Sequence, residues 1–244
     1  MPEASAARWI EESLWPWGTA ANFEGFRLGC LLPEGFEAYA RVLHPASVRT
    51  DQGYEPARWS TVASWTGRTV HPQMQFELIA DLSERKPYRF DPPSWGSGPE
   101  RGTFPPLECR AAIEVLREFT STPDICYFCV REGWGFIDPE FYKRAARVNT
   151  PDVKNPDRSY LLFRGPLDAI DSFLEPAFHA FARSPNIWWP EDRAWCVATE
   201  IDSFDTFIGG SEECIQQILA CSDLEAFPAM IDARNDFGGD TINL

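Results

Sequence analysis

Residues 125–130 read Ile-Cys-Tyr-Phe-Cys-Val, a run of strand length without a single charge. A strand that is apolar at consecutive positions has to be covered on both faces, so this segment belongs at the centre of a sheet. It follows the clearest helical pattern in the chain. Two prolines open residues 105–120, Leu107, Ala111, Ala112, Val115, Leu116 and Phe119 form one apolar stripe, and Pro123 closes the segment. A helix followed directly by a central strand sets the theme for the rest.

Residues 159–164 read as another strand, and Gly165-Pro166 then leads into a helix over 167–174. In residues 36–44, Ala38, Ala40 and Val42 alternate with Tyr39, Arg41 and Leu43, which predicts a strand ending at His44-Pro45. Residues 27–32 read as a short strand stopped by Pro33. Residues 56–66 read as a helix with Trp59, Val62 and Ala63 on one face and Gly67 as its stop. Residues 73–80 suit either type, with helix preferred. Residues 194–202 and 204–208 predict a tight hairpin. Residues 211–221 predict a helix capped by Ser211, with Glu212 and Glu213 in its first turn and Cys214, Ile215, Ile218 and Leu219 as its apolar face. Strands and helices alternate without a βαβ rhythm. The expected fold is therefore α+β, a mixed or mostly antiparallel sheet with helices packed on it, in a single domain over residues 1–244. Residues 81–104 stand apart, with Pro87, Pro92, Pro93 and Pro99 among Gly96, Gly98 and Gly102. A loop of that length inside a domain is expected to be a lid or binding loop. Tyr88, Phe90 and Trp95 give it apolar anchors and argue against a domain linker.

Charge narrows the class of partner. The chain of 244 residues carries 22 Lys+Arg and 37 Asp+Glu, a net charge of −15. That balance argues against nucleic acid, which demands a basic footprint, and against anionic membrane surfaces. The excess is uneven: residues 1–185 hold a net −5 and residues 186–244 a net −10, with Arg193 and Arg234 the only cations of that last quarter. Met1-Pro2-Glu3-Ala4 shows no export signal and no apolar run reaches membrane-spanning length, so a cytoplasmic chain is expected. Its 7 cysteines, irregularly spaced, are expected as free and mostly buried thiols.

Four segments carry a resemblance: residues 36–46 (FEAYARVLHPA), 126–135 (CYFCVREGWG), 159–167 (SYLLFRGPL) and, most specific, 186–211 (NIWWPEDRAWCVATEIDSFDTFIGGS). The chain resembles a family of bacterial proteins, mainly actinobacterial, of unknown function. The resemblance implies a bacterial, cytoplasmic protein and no particular activity.

Residues 186–202 are the densest in chemistry. On a continuous strand, Glu200 and Asp202 share a face about 7 Å apart, near enough to hold a cation or divide acid and base roles. Exposed charges at a strand end are the commoner outcome for such residues. Trp188 and Trp189 can form a platform beside them, although core packing is the usual fate of tryptophan. Gly209-Gly210-Ser211 reads as a turn before a helix N-terminus, where Glu212 and Glu213 would repel an anion. Cys126 and Cys129, three apart on a strand, point to opposite faces, which argues against a disulfide or shared zinc. His44, His71 and His179 show no metal spacing, though His44 and His71 can meet through space; no metal and no cofactor are expected. Gly96-Ser97-Gly98 lies in the proline-rich loop, not in the strand-to-helix turn a nucleophile elbow needs. Trp134 and Glu132, in the glycine turn that ends the central strand, complete the candidates.

Two readings follow, and the sequence leaves open whether the chain is an enzyme. The preferred one is a non-catalytic interaction protein whose acidic last quarter attracts a basic protein partner. The alternative is a small-ligand-binding protein or enzyme with an aromatic and acidic pocket of Trp188, Trp189, Arg193, Glu200 and Asp202, with His44 or Trp134 nearby, under the 81–104 loop.

Overall fold

The computed structural model describes residues 3–16, 26–80, 95–132, 146–149, 159–174 and 183–244. Its main feature is an eight-stranded sheet built from β1 (Ala38–Leu43), β5 (Cys126–Arg131), β6 (Ala146–Asn149), β7 (Ser159–Gly165), β8 (Ile187–Pro190), β9 (Cys196–Ala198), β10 (Asp205–Gly210) and β11 (Ala226–Ala229). The spatial order is β11-β1-β10-β9-β8-β5-β7-β6, and each neighbouring pair is antiparallel. A smaller sheet, in the order β3-β2-β4, joins β2 (Ala46–Thr50), β3 (Gly53–Ala57) and β4 (Trp95–Ser97). The fold is α+β with an antiparallel sheet and helices packed on it.

The central position of β5 follows from its side chains. Cys126, Phe128 and Val130 enter one apolar layer, and Tyr127 and Cys129 enter the opposite one. The first layer is closed by the helix Pro106–Arg117, through Cys109, Ala112, Ile113 and Leu116, and by the helix Glu212–Ala220, through Cys214, Ile215 and Ile218. Leu167, Ile170, Phe173 and Leu174 complete it from the turns after β7. The second layer is closed by Ala7, Ile10 and Leu14 near the start of the chain and by Leu28, Leu31 and Leu32. A third cluster, with Trp59, Val62, Met74, Phe76 and Ile79, lies under the helix Trp59–Thr66.

Several expectations need correction. Residues 27–32 form no strand but a 3₁₀ turn, Leu28–Cys30, flanked by an isolated bridge between Arg27 and Arg234. Leu28, Cys30, Leu31 and Leu32 are buried alike, so their apolarity carried no period-2 information. The helix expected at 56 begins at Trp59, because Gly53–Ala57 pairs with β2 in a hairpin that escaped the sequence reading. Pro56 sits there on an edge strand, where its missing N–H costs little. Gly67 does end the helix, in the left-handed conformation at φ 72°. On the helix Pro106–Arg117 the buried stripe runs through Cys109 and Ile113, and Leu107 is exposed. Gly209 and Gly210 belong to β10 instead of a loop; a Cβ on Gly209 would meet the Phe36 ring at 2.6 Å, which explains the glycine. Of the long loop, residues 81–94 lie outside the described residues. The remainder is anchored: β4 pairs with β2, and Phe104 is fully buried with its N–H donating to Ser184 Oγ at 2.7 Å.

Candidate functional site

The proposed pocket residues do not converge. β8 carries Trp188 into the first apolar layer and Trp189 into the second, so the sheet itself separates the two indoles. Trp188 packs edge-on to Trp195, with centroids 5.3 Å apart, and stacks on Phe128. Trp189 stacks on Tyr127 at 5.6 Å and meets the edge of Trp9 at 5.7 Å. Adjacent residues on a strand must diverge in this way. Arg193 is exposed in the turn between β8 and β9, in the left-handed region at φ 56°, with its guanidinium 5.1 Å from the Trp9 ring. β9 ends at Ala198, so the period that would align Glu200 with Asp202 is broken. Ser203 N–H donates to the Glu200 carbonyl at 3.0 Å, closing a turn that leaves Glu200 buried and Asp202 exposed. Trp134 lies outside the described residues, as does His179.

His44 is where the structure gathers polar chemistry that the sequence did not foretell. Its Nδ1 lies 2.8 Å from the Glu100 carbonyl oxygen and its Nε2 lies 2.9 Å from Thr206 Oγ1. A carbonyl only accepts, so Nδ1 carries the proton and Nε2 accepts from the threonine hydroxyl. Thr206 Oγ1 in turn sits 2.7 Å from Thr199 Oγ1, which donates to it. The ring is fully buried and stacks on Phe104 at 6.0 Å. Burial lowers its pKa to about 4, against the raising effect of the Glu100 carbonyl and Asp205. The line of groups resembles an activated hydroxyl, but His44, Thr206 and Thr199 are all sealed from solvent. In this geometry they fasten the loop at Glu100 to β1, β9 and β10.

Beside it, Arg41 of β1 and Asp205 of β10 form a buried ion pair, Nε–H donating to Oδ2 at 2.7 Å and Nη2 at 2.6 Å from the same oxygen. Arg41 Nη1 also donates to the carbonyls of Pro72 and Met74, both at 2.9 Å, and the guanidinium lies 5.5 Å from the Trp59 ring. A buried guanidinium is tolerated when a counter-charge and acceptors meet it in this way: Nε and Nη1 are hydrogen-bonded, and Nη2 has the ion-pair contact with Asp205 alone. The nearby Glu77 carboxyl is held above its ordinary pKa by burial.

Apart from the turn after β8, where exposed Asp192 accepts from Thr120 and Ser121, the acidic last quarter divides in two. Asp205 holds Arg41, while Glu225 accepts from the backbone N–H groups of Trp59 and Ser60, at 2.6 and 2.8 Å, and caps that helix from afar. Asp236 pairs with Arg234, and Asp240 is buried among donors. By contrast Asp202, Glu212, Glu213, Asp223 and Asp232 are exposed. Glu37 adds to them, accepting from Glu212 N–H at 2.9 Å.

Neither redox nor metal chemistry is favoured by the remaining groups. The seven cysteines are free. Cys126 and Cys129 sit on opposite faces of β5, and burial pushes the Cys126 thiol up to about 12 and Cys129 upward as well. Among the described residues no group of three or more His, Cys, Asp or Glu side chains has metal-binding geometry, so His44 and His71 do not form the through-space site. No described helix is long and apolar enough to cross a membrane. A scan against models of known protein families matches none, and neither a curated protein nor a solved structure matches the chain.

Proposed function

We propose that this chain is a bacterial, cytoplasmic, non-catalytic interaction protein that recruits a basic protein partner through the exposed carboxylates of its last quarter. The observation that carries the reading is the fate of the charges there. Asp202, Glu212, Glu213, Asp223 and Asp232 face solvent. The two arginines of the same quarter are engaged elsewhere, Arg234 with Asp236 and Arg193 over the Trp9 ring. Outward carboxylates outnumber the cations that reach them, among them Arg27 at the Asp232 carbonyl and Arg58 at the Ser222 carbonyl, and such an excess steers a cationic partner and fades as salt is added. Free, buried thiols suit a reducing compartment. Supporting the same choice, the two tryptophans of the alternative pocket are committed to packing on opposite faces of the sheet.

The test is capture of partners by the immobilised full-length chain, at low and high salt, beside a variant with Asp202, Asp223 and Asp232 changed to Asn and Glu212 and Glu213 changed to Gln. The reading expects a basic protein in stoichiometric amount at low salt, less at high salt, and none on the variant. Equal recovery on both proteins, or none on either, contradicts it.

A further inference from the structure

Within residues 240–244 the side chains of Asp240 and Asn243 turn inward, and Thr241, Ile242 and Leu244 face outward. Asp240 and Asn243 are buried, whereas Ile242 is 57% and Leu244 85% exposed. The hold is concentrated on one carboxylate. Asp240 Oδ1 accepts from the N–H groups of Ile242 and Asn243 at 3.0 and 2.9 Å and lies 3.0 Å from His71 Nε2. Oδ2 accepts from Gln75 N–H at 3.1 Å and from Asn243 Nδ2 at 2.9 Å. Burial pushes the Asp240 pKa up, but these hydrogen bonds outweigh it and hold the carboxyl at about 2.

Asn243 then stitches the segment to the loop at residues 68–75. Its Oδ1 accepts from Thr69 N–H at 2.9 Å, its Nδ2 donates to the Thr69 carbonyl at 3.1 Å, and its own carbonyl accepts from Arg68 Nη1 at 3.1 Å. The same loop supplies the Pro72 and Met74 carbonyls that receive Arg41. His71 Nδ1 accepts from Gln73 N–H at 3.3 Å, which leaves the proton on Nε2, directed at Asp240. Besides the His71 imidazole, the charged groups around the junction are Arg68 on the loop, Arg234 and Asp236 just before the segment, and Arg41 with Asp205 beyond the loop.

We propose that residues 240–244 are a latch that opens as a unit while the sheet stays folded, and that its opening frees loop 68–75 and loosens the carbonyl hold on Arg41. The reason is an imbalance of forces. The central strands are held by apolar burial on both faces, and the segment gains little of it, so its opening costs less than global unfolding. Asp240 holds the backbone and side-chain amides of Asn243, and Asn243 holds Thr69 and Arg68, so the contacts are lost together. Closed, the latch fixes the wall of the Arg41–Asp205 pair; open, it exposes the Thr69 and Gln75 amides and the side chain of Asp240.

Amide hydrogen exchange followed by NMR on the full chain tests this, because Thr69 and Gln75 donate across the junction while Phe128 and Val197 lie in the central strands. In the unaltered protein Thr69, Gln75 and Asn243 should share one exchange rate, faster than that of Phe128 and Val197. Asp240→Ala should raise exchange at Thr69 and Gln75 by about ten- to hundredfold and leave Phe128 and Val197 unchanged. The indole N–H signal of Trp59, beside Arg41, should shift. Asn243→Ala, which keeps the carboxylate, should speed Thr69 more than Gln75. The latch is refuted if Thr69 and Gln75 exchange as slowly as Phe128 and Val197 in the unaltered protein, or if Asp240→Ala speeds every amide alike.

Discussion

Two sets of carboxylates drawn from the same last quarter of the chain meet opposite fates. Asp205, Glu225 and Asp240 turn inward, and each is met by donors from distant sequence: Arg41, the first amides of the helix Trp59–Thr66, and loop 68–75. Asp202, Glu212, Glu213, Asp223 and Asp232 turn outward. The first set joins the last quarter to β1, the helix Trp59–Thr66 and loop 68–75; the second lies at the surface. A count of charges treats the two as equal. What separates them is whether the chain brings a donor to the carboxylate, which decides whether removing it costs stability or only changes the field outside.

The largest effect is expected at the buried ion pair. Asp205→Ala leaves the Arg41 guanidinium uncompensated in the interior and should destabilise the fold by about 3–5 kcal/mol, read from denaturant unfolding. Replacing both partners by apolar residues should recover much of that loss, and failure to recover it would break the inward half of the comparison.

Acid comes next. The His44 pKa is about 4 in the fold against an ordinary 6.5, so between these values the unfolded chain binds more protons. The stability that goes with neutral His44 is complete above about pH 6.5 and is lost as pH falls to about 4, by about 3 kcal/mol. Asp240 acts lower, because its carboxyl is held at about 2 against an ordinary 3.8. Its contribution is full above about pH 3.8 and disappears as pH falls through about 2. Unfolding midpoints across pH 3–8 should therefore decline in the upper window in the unaltered protein, and His44→Asn should flatten that decline.

A smaller loss is expected from Glu225→Ala, which uncaps the helix Trp59–Thr66: about 1 kcal/mol, with melting concentrated in that helix. The smallest belongs to the outward set, where single neutralisations such as Asp223→Asn should leave the thermal midpoint unchanged. A pronounced drop there would erase the distinction between the two sets.

Much of the scaffold was legible in the sequence because local rules and tertiary demand agreed. Residues 126–130 are apolar on both faces and occupy a strand buried on both faces. Ser211, Glu212 and Glu213 mark the start of a helix, and Ser211 Oγ does accept from Cys214 N–H at 3.2 Å. The candidate pocket failed where a local period was extended past the element that sustains it. β9 stops at Ala198, and beyond that point Glu200 and Asp202 follow a turn. Trp188 and Trp189 are adjacent on β8, a strand that the sequence pattern had not marked, and adjacent residues of a strand face opposite ways. The His44 cluster was not readable, because Glu100 and Thr206 reach the ring, and Thr199 reaches Thr206, from separate segments through contacts between side chains and one carbonyl. Nor was the cap on the helix Trp59–Thr66, since its carboxylate arrives from residue 225.

The most direct test of the division is to neutralise the whole outward set in one protein and two members of the inward set in another, and to measure both properties on each. With Asp202, Glu212, Glu213, Asp223 and Asp232 replaced by their amides, the thermal midpoint should stay at that of the unaltered chain while capture of a basic partner at low salt disappears. With Asp240 and Glu225 replaced, the midpoint should fall while partner capture by the remaining folded protein persists. An outward variant that loses stability but still captures the partner would contradict the account.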